Sequence, residues 1–117
     1  REATGSADAA SPAENRRRYG LVGLAVQDLT RSVIVRFELP DTLHGVLITD
    51  VDPLSPAEDA GMQHGEVLLE INRQAVVTAA DFRRITAAVK PGDALALYVF
   101  VPGSDQRVLR TLRVDAR

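Results

Sequence analysis

"SPAEDAGMQHGEVLLEIN", Ser55 to Asn72, packs a helix start, a helix stop, a turn and an apolar strand into one short stretch. Ser55 is a good N-cap. Pro56 suits the first helical position, where its missing N–H costs nothing. Glu58, three residues on, completes the pattern of a capping box. Gly61 can close the helix in the left-handed conformation, so the helix has about two turns at most. Ala57 and Ala60 are small enough to let it lie tightly on a sheet. Gly65 permits a turn, and "EVLLEIN" resumes as a strand. Upstream, "GVLITDVD" (Gly45 to Asp52) is β-rich and ends at Pro53. Two strands joined by a compact helix are therefore expected.

Outward from this centre, "TAADFRRITAAVKPGD" predicts the one longer helix. Thr78 can cap it, Asp81 sits in its first turn, and Pro91-Gly92 stop it. Phe82, Ile85 and Val89 form an apolar stripe for the core. Ala79, Arg83 and Thr86 form a neighbouring, mildly polar stripe. "ALALYVFV", the turn "PGSD" and "RVLRTLRV" predict a hairpin whose second arm buries Leu112 and Val114. Before the centre, "YGLVGLAVQDL" reads as a glycine-bearing loop leading into a strand. "TRSVIVRFELP" is ambiguous. Thr30 and Pro40 bracket a helix, whereas Val33, Ile34 and Val35 are β-branched and favour a strand. We read it as a short helix. The sum is an α+β, mainly β fold. It is a small, partly open antiparallel barrel or sandwich of about five or six strands capped by two or three helices.

The chain has 117 residues, enough for one domain. "REATGSADAASPAEN" is small, polar and aperiodic, so residues 1–17 read as a flexible linker or arm and 18–117 as the domain. A chain that opens on Arg1 and this segment suggests a piece of something longer. The net charge is −2, with 14 basic and 16 acidic residues, which argues against general nucleic-acid binding. The basic clusters at Arg16-Arg17-Arg18 and at Arg107, Arg110, Arg113 and Arg117 read as solvated faces or linker. No Cys is present, which excludes disulfides, thiol catalysis and Cys-ligated zinc. No apolar run is long enough for a membrane span.

No catalytic setting emerges. The sequence has no GxSxG, no GDSGG-like serine, no HExxH, no EF-hand loop and no P-loop. His44 and His64 lie beside glycines in predicted turns and read as surface residues. Asp50 and Asp52 are explained by a strand end running into a turn. No metal or other cofactor is expected. What remains is a glycine loop, the strand after it and a helix with a spare stripe. A strand left open beside that helix makes a slot for one extended peptide, held by main-chain hydrogen bonds. Backbone N–H groups of the loop can cradle a C-terminal carboxylate. The plainer reading is that Gly20 and Gly23 merely turn the chain.

The order of glycine loop, "GVLITDVDPLSPAEDAGMQHGEVLLEINRQAV" and "DFRRITAAV" helix resembles a PDZ domain of the bacterial HtrA/Deg serine protease family, most like the second, C-terminal one. The resemblance covers about Tyr19 to Val114. It implies a peptide-binding module of a periplasmic, trypsin-like endoprotease. Tyr19, Gly20, Leu21, Val22, Gly23 and Leu24 would form the carboxylate loop, with Leu21 to Leu24 supplying amides. Leu24, Ala25 and Val26 would form the edge strand. Ala79, Arg83 and Thr86 would face the groove. Implied partners are peptide or unfolded-protein segments, a covalently linked protease domain and, in the full-length protein, an oligomer. The alternatives are a structural module that contacts neighbouring protease or PDZ domains, or a PDZ domain of an intramembrane protease or secretion-system protein. The chain departs from the family at Glu66, where Asp is common, and at Asn72-Arg73, where Asn-Gly is common. It departs again in the β-branched "SVIVRFEL".

Overall fold

The computed structural model describes residue 20 and residues 22–114; the proposed arm, Tyr19 and Leu21 lie outside the described residues. The elements run β1 (Leu24–Asp28), α1 (Arg31–Arg36), β2 (Val46–Val51), α2 (Pro56–Asp59), β3 (Val67–Ile71), β4 (Gln74–Ala75), α3 (Ala79–Ala87), β5 (Ala94–Val101) and β6 (Gln106–Arg113). The strands form one antiparallel sheet in the order β1-β2-β3-β5-β6, with the short β4 also on β3. The expected mainly β architecture is what forms, with three helices among the described residues packed on an open sheet.

Each face of the sheet carries its own apolar cluster, because strand side chains alternate. Val46 and Ile48 of β2 and Leu95, Leu97 and Val99 of β5 join one core with Ala57 of α2 and Phe82 and Ile85 of α3. Leu47 and Phe100 point the other way and pack with Val33 of α1. Strand β3 serves both: Leu68 and Ile71 belong to the first core, Val67 and Leu69 to the second. Leu68 and Ile71 are an odd number apart, and the register shift between Leu68 and Glu70 brings them to one face.

The ambiguous "SVIVRF" segment is helical. Thr30 Oγ1 accepts from the Val33 N–H at 3.2 Å. At the other end Glu38 takes φ 54. Glu38 N–H donates to Val35 at 3.2 Å, and Leu39 N–H donates to Ile34 at 2.9 Å. These two bonds make a Schellman motif, and buried Leu39 completes it against half-buried Ile34. Two end caps and burial of Val33 outweigh the small propensity cost of three β-branched residues. Helix α2 is built the same way. Ser55 Oγ accepts from Glu58 N–H at 3.2 Å. Gly61 N–H donates to Glu58 and Met62 N–H to Ala57, at 3.0 and 3.1 Å. Helix α3 has a full capping box between Thr78 and Asp81.

The departures at Glu66 and at Asn72-Arg73 also find an explanation. Asn72 and Arg73 take φ 50 and 70, the dihedrals of a type I′ turn between β3 and β4. Asn72 also clasps β5: its N–H donates to the Ala96 carbonyl and its Oδ1 accepts from the Ala96 N–H, both at 2.8 Å. Glu66 is buried yet fully partnered. Its two oxygens receive Arg110 Nη1 and Nη2 of β6 at 2.8 and 2.9 Å, and Oε1 also accepts from Gln63 N–H at 3.1 Å. Arg110 Nη1 donates as well to the Gly61 carbonyl, so one guanidinium ties β6 to the end of α2 and the start of β3.

Candidate functional site

The glycine loop leads into β1, which ends the sheet: among the described residues it pairs with β2 alone. Its other side faces α3, which packs alongside. The backbone of β1 and helix α3 thus lie side by side, with the helix-side edge of the strand left unpaired among the described residues.

Helix α2 fixes the loop. Val22 places its side chain in the core, and its carbonyl accepts from Ala57 N–H at 3.0 Å. The Gly23 carbonyl accepts from Asp52 N–H at 2.9 Å. A trans peptide points its N–H opposite to its C=O. The Gly23 N–H is therefore directed away from α2, and the Leu24 N–H away from the end of β2. Two donors thus face out from the clamp, at the start of the open edge. Gly20 and Gly23 have φ +70 and +95, which an L side chain rarely adopts. Gly23 is confined as well: a Cβ there would fall 2.3 Å from Ser55 Oγ. So Ser55 and Ala57, which the sequence presented as fold residues only, also hold the candidate carboxylate loop. The only signal was the smallness of Gly23 and Ala57; the pairing itself is tertiary.

Along β1, Leu24 is buried in the main core, while Ala25 and Val26 are half-buried. The pairing with β2 bulges between Ala25 and Val26. On α3, Ala79 and Thr86 are half-buried and Arg83 is exposed, as a stripe beside the core stripe requires. Phe82 and Ile85 are buried and Val89 packs against the core. The Thr86 hydroxyl donates to the Phe82 carbonyl at 2.8 Å, which commits its proton within the helix. Arg84, next to Arg83 in sequence, pairs with Asp81 one turn back along the helix at 3.1 Å. That hydrogen bond, followed by one from Val77 N–H, holds the Asp81 carboxyl below its usual range. Asp52, under the loop, is pushed up by burial and then by the charges of Asp50 and Glu58.

One residue of the slot escaped the sequence reading. Asp28, the last residue of β1, accepts a hydrogen bond on Oδ1 from Ala79 N–H at 2.6 Å. It joins the two walls at the end far from the loop. Two cavities of about 390 and 540 Å³ open elsewhere; no β1 residue lines either. Among the described residues no group of His, Asp and Glu is placed to hold a metal.

A family model described as a PDZ domain matches residues 47–97, the span from β2 through α2, β3 and α3 into β5. The chain is 32% identical over 91 residues to a probable periplasmic serine endoprotease, DegP-like, of Marinomonas sp., covering 78% of this chain and 19% of that protein. The chain belongs to the PDZ family. Other relatives agree: the serine endoprotease DegS of Haemophilus influenzae is 38% identical over 55 residues, covering 47% of this chain and 16% of that one. This PDZ domain superposes on the HtrA-type protease AlgW, solved with a decapeptide. The TM-score is 0.73 at 26% identity, over 82% of this chain and 29% of the other. The PDZ domain of HtrA3, bound to a phage-derived ligand (FGRWV), shares the fold with a TM-score of 0.64 at 22% identity, over 79% of this chain and 81% of the other. The chain spans about a fifth of the length of the curated relatives it matches.

Proposed function

We propose that this PDZ domain is the peptide-capturing module of a periplasmic HtrA/Deg-type serine endoprotease, in the second, C-terminal position. It takes C-terminal or extended segments for substrate recognition and protease regulation. The observation that carries this reading is the open edge of β1 beside α3, headed by the outward-facing N–H groups of Gly23 and Leu24. The relatives named as periplasmic endoproteases support the setting, and the decapeptide held by AlgW supports the ligand class.

In this reading Tyr19, Gly20, Leu21, Val22, Gly23 and Leu24 form the carboxylate loop. An added strand pairs with Leu24, Ala25 and Val26, while Ala79, Arg83 and Thr86 wall it. Hydrogen bonds to a charged acceptor are worth about 1.5–3 kcal/mol each. An amidated peptide loses that charge and turns N–H groups towards donors. Titration of one peptide in acid and amide forms is the test. The acid form should bind at least about tenfold tighter, or ~1.4 kcal/mol. Equal affinities would sink the carboxylate loop.

A further inference from the structure

We propose that Asp28 and the Ala79 N–H form a strap that closes the far end of the slot, so that the domain reads only about the last four residues of a peptide. The inference rests on the peptide-binding reading above and adds a limit to it.

Strand β1 is Leu24–Asp28, and the loop lies at its Leu24 end. A peptide with its carboxylate at the loop and its backbone on β1 runs antiparallel, away from Gly23 towards Asp28. Leu24 to Asp28 is four residue steps, about 13 Å at the usual strand rise. There the Asp28 carboxylate crosses from the strand to the first helical residue of α3 and bonds Ala79 N–H at 2.6 Å. A chain continuing between the walls meets this bond. Its fifth residue must leave the slot or break the strap.

The strap is a separate feature from the helix's own capping. Thr78 and Asp81 satisfy each other's N–H groups through the capping box. Asp28 reaches across 51 positions of sequence to the N–H of Ala79. Ala79 belongs to the stripe that faces the slot, so the bond also fixes the separation of the walls there.

The test begins by selecting a binder from a random library of free-carboxylate heptapeptides against the whole chain. Its truncations to six, five, four and three residues are then titrated against wild type, D28A and D28N. In wild type, affinity should fall at three residues and change by less than about twofold between four and seven. In D28A it should keep rising with length, by about threefold or more from four to seven. Asn keeps an acceptor oxygen for the Ala79 N–H, so D28N should follow wild type. Circular dichroism melts confirm that each variant is folded. A length dependence shared by wild type and D28A overturns the strap while leaving the peptide site standing. D28N that follows D28A overturns it too. If no peptide binds any of the three proteins, the peptide reading falls and the strap with it.

Discussion

Gly23 lies flat against the side chain of Ser55, with no room for a methyl group between them: a Cβ at 23 would sit 2.3 Å from Ser55 Oγ and 2.4 Å from Ser55 Cβ. The N-cap of one helix is thereby the seat of the loop that heads the open strand. Two costs act at once on Gly23→Ala. The residue must hold φ +95, and its methyl must displace Ser55. Each is worth about 1–3 kcal/mol, so a loss of at least about 2 kcal/mol is expected in urea denaturation. Ser55→Gly removes the obstruction at little capping cost. The double variant should then recover about 0.5–3 kcal/mol relative to additivity. Additive effects would show that strain, not the contact, dominates.

Arg110→Ala leaves the Glu66 carboxylate buried with only the Gln63 N–H as partner. Stranding one half of a buried ion pair costs about 3–5 kcal/mol. The Arg110 side chain is one-fifth exposed, so the low end, about 3 kcal/mol, is expected. Thermal and urea melts measure it; a change below about 1 kcal/mol would mean water replaces the guanidinium freely.

Arg73→Gly should stabilise the domain. Arg73 sits at φ 70 and is exposed, and no ion pair is recorded for it among the described residues. Relief of left-handed strain is partly offset by glycine's greater flexibility in the unfolded chain, which leaves a gain of about 0.5–1 kcal/mol. A fall in the urea midpoint would mean the aliphatic stem of Arg73 contributes packing.

The two shifted carboxyls act oppositely on stability as pH changes. Asp52 has a folded pKa raised above its usual 3.8, by burial first and then by Asp50 and Glu58. The folded state then holds the proton more tightly than the unfolded chain. Its contribution is favourable below pH 3.8 and is lost as pH rises through the folded value. Asp52→Asn should therefore melt higher than wild type at pH 7, with the gap closing on acidification below pH 3.8. Asp81 is lowered by the Arg84 hydrogen bond, so its contribution is present above pH 3.8 and is lost as pH falls through the folded value. Asp81→Asn should melt lower at pH 7, with the difference fading in acid. Melts across pH 2.5–7 that show the same sign for both variants would contradict these assignments.

What could be read from the sequence was what short-range rules govern. The cap at Ser55, the stop at Gly61, the capping box at Thr78 and the core stripe of Phe82, Ile85 and Val89 all form within one or two helical turns. The helix at Arg31–Arg36 was marked by its cap and by Pro40, although the side chains pulled the other way. The contacts that shape the site are of another kind. Asp28 meets Ala79 across 51 positions, and Glu66 meets Arg110 across 44. No local pattern distinguishes such an Asp or Glu from a solvated one. Glu66 did stand out, as a longer side chain where the family commonly has Asp, and that length is what reaches β6. The hold of Ala57 on Val22 and of Asp52 on Gly23 also runs through main-chain atoms, which every residue carries, so no side chain announces it.

A strand edge proposed to pair with one peptide offers its hydrogen bonds in principle to any strand, including another copy of β1, and exposed edges of this kind seed aggregation. Helix α3 lies alongside that edge, and the Asp28 carboxylate ties the two together at one end. A second added strand would have to occupy the helix. Stacking therefore ends after a single guest, and β1 itself is short, bulged at Ala25–Val26 and finished by an acidic residue. A domain shaped this way can meet a crowd of unfolded chains without becoming the template on which they polymerise.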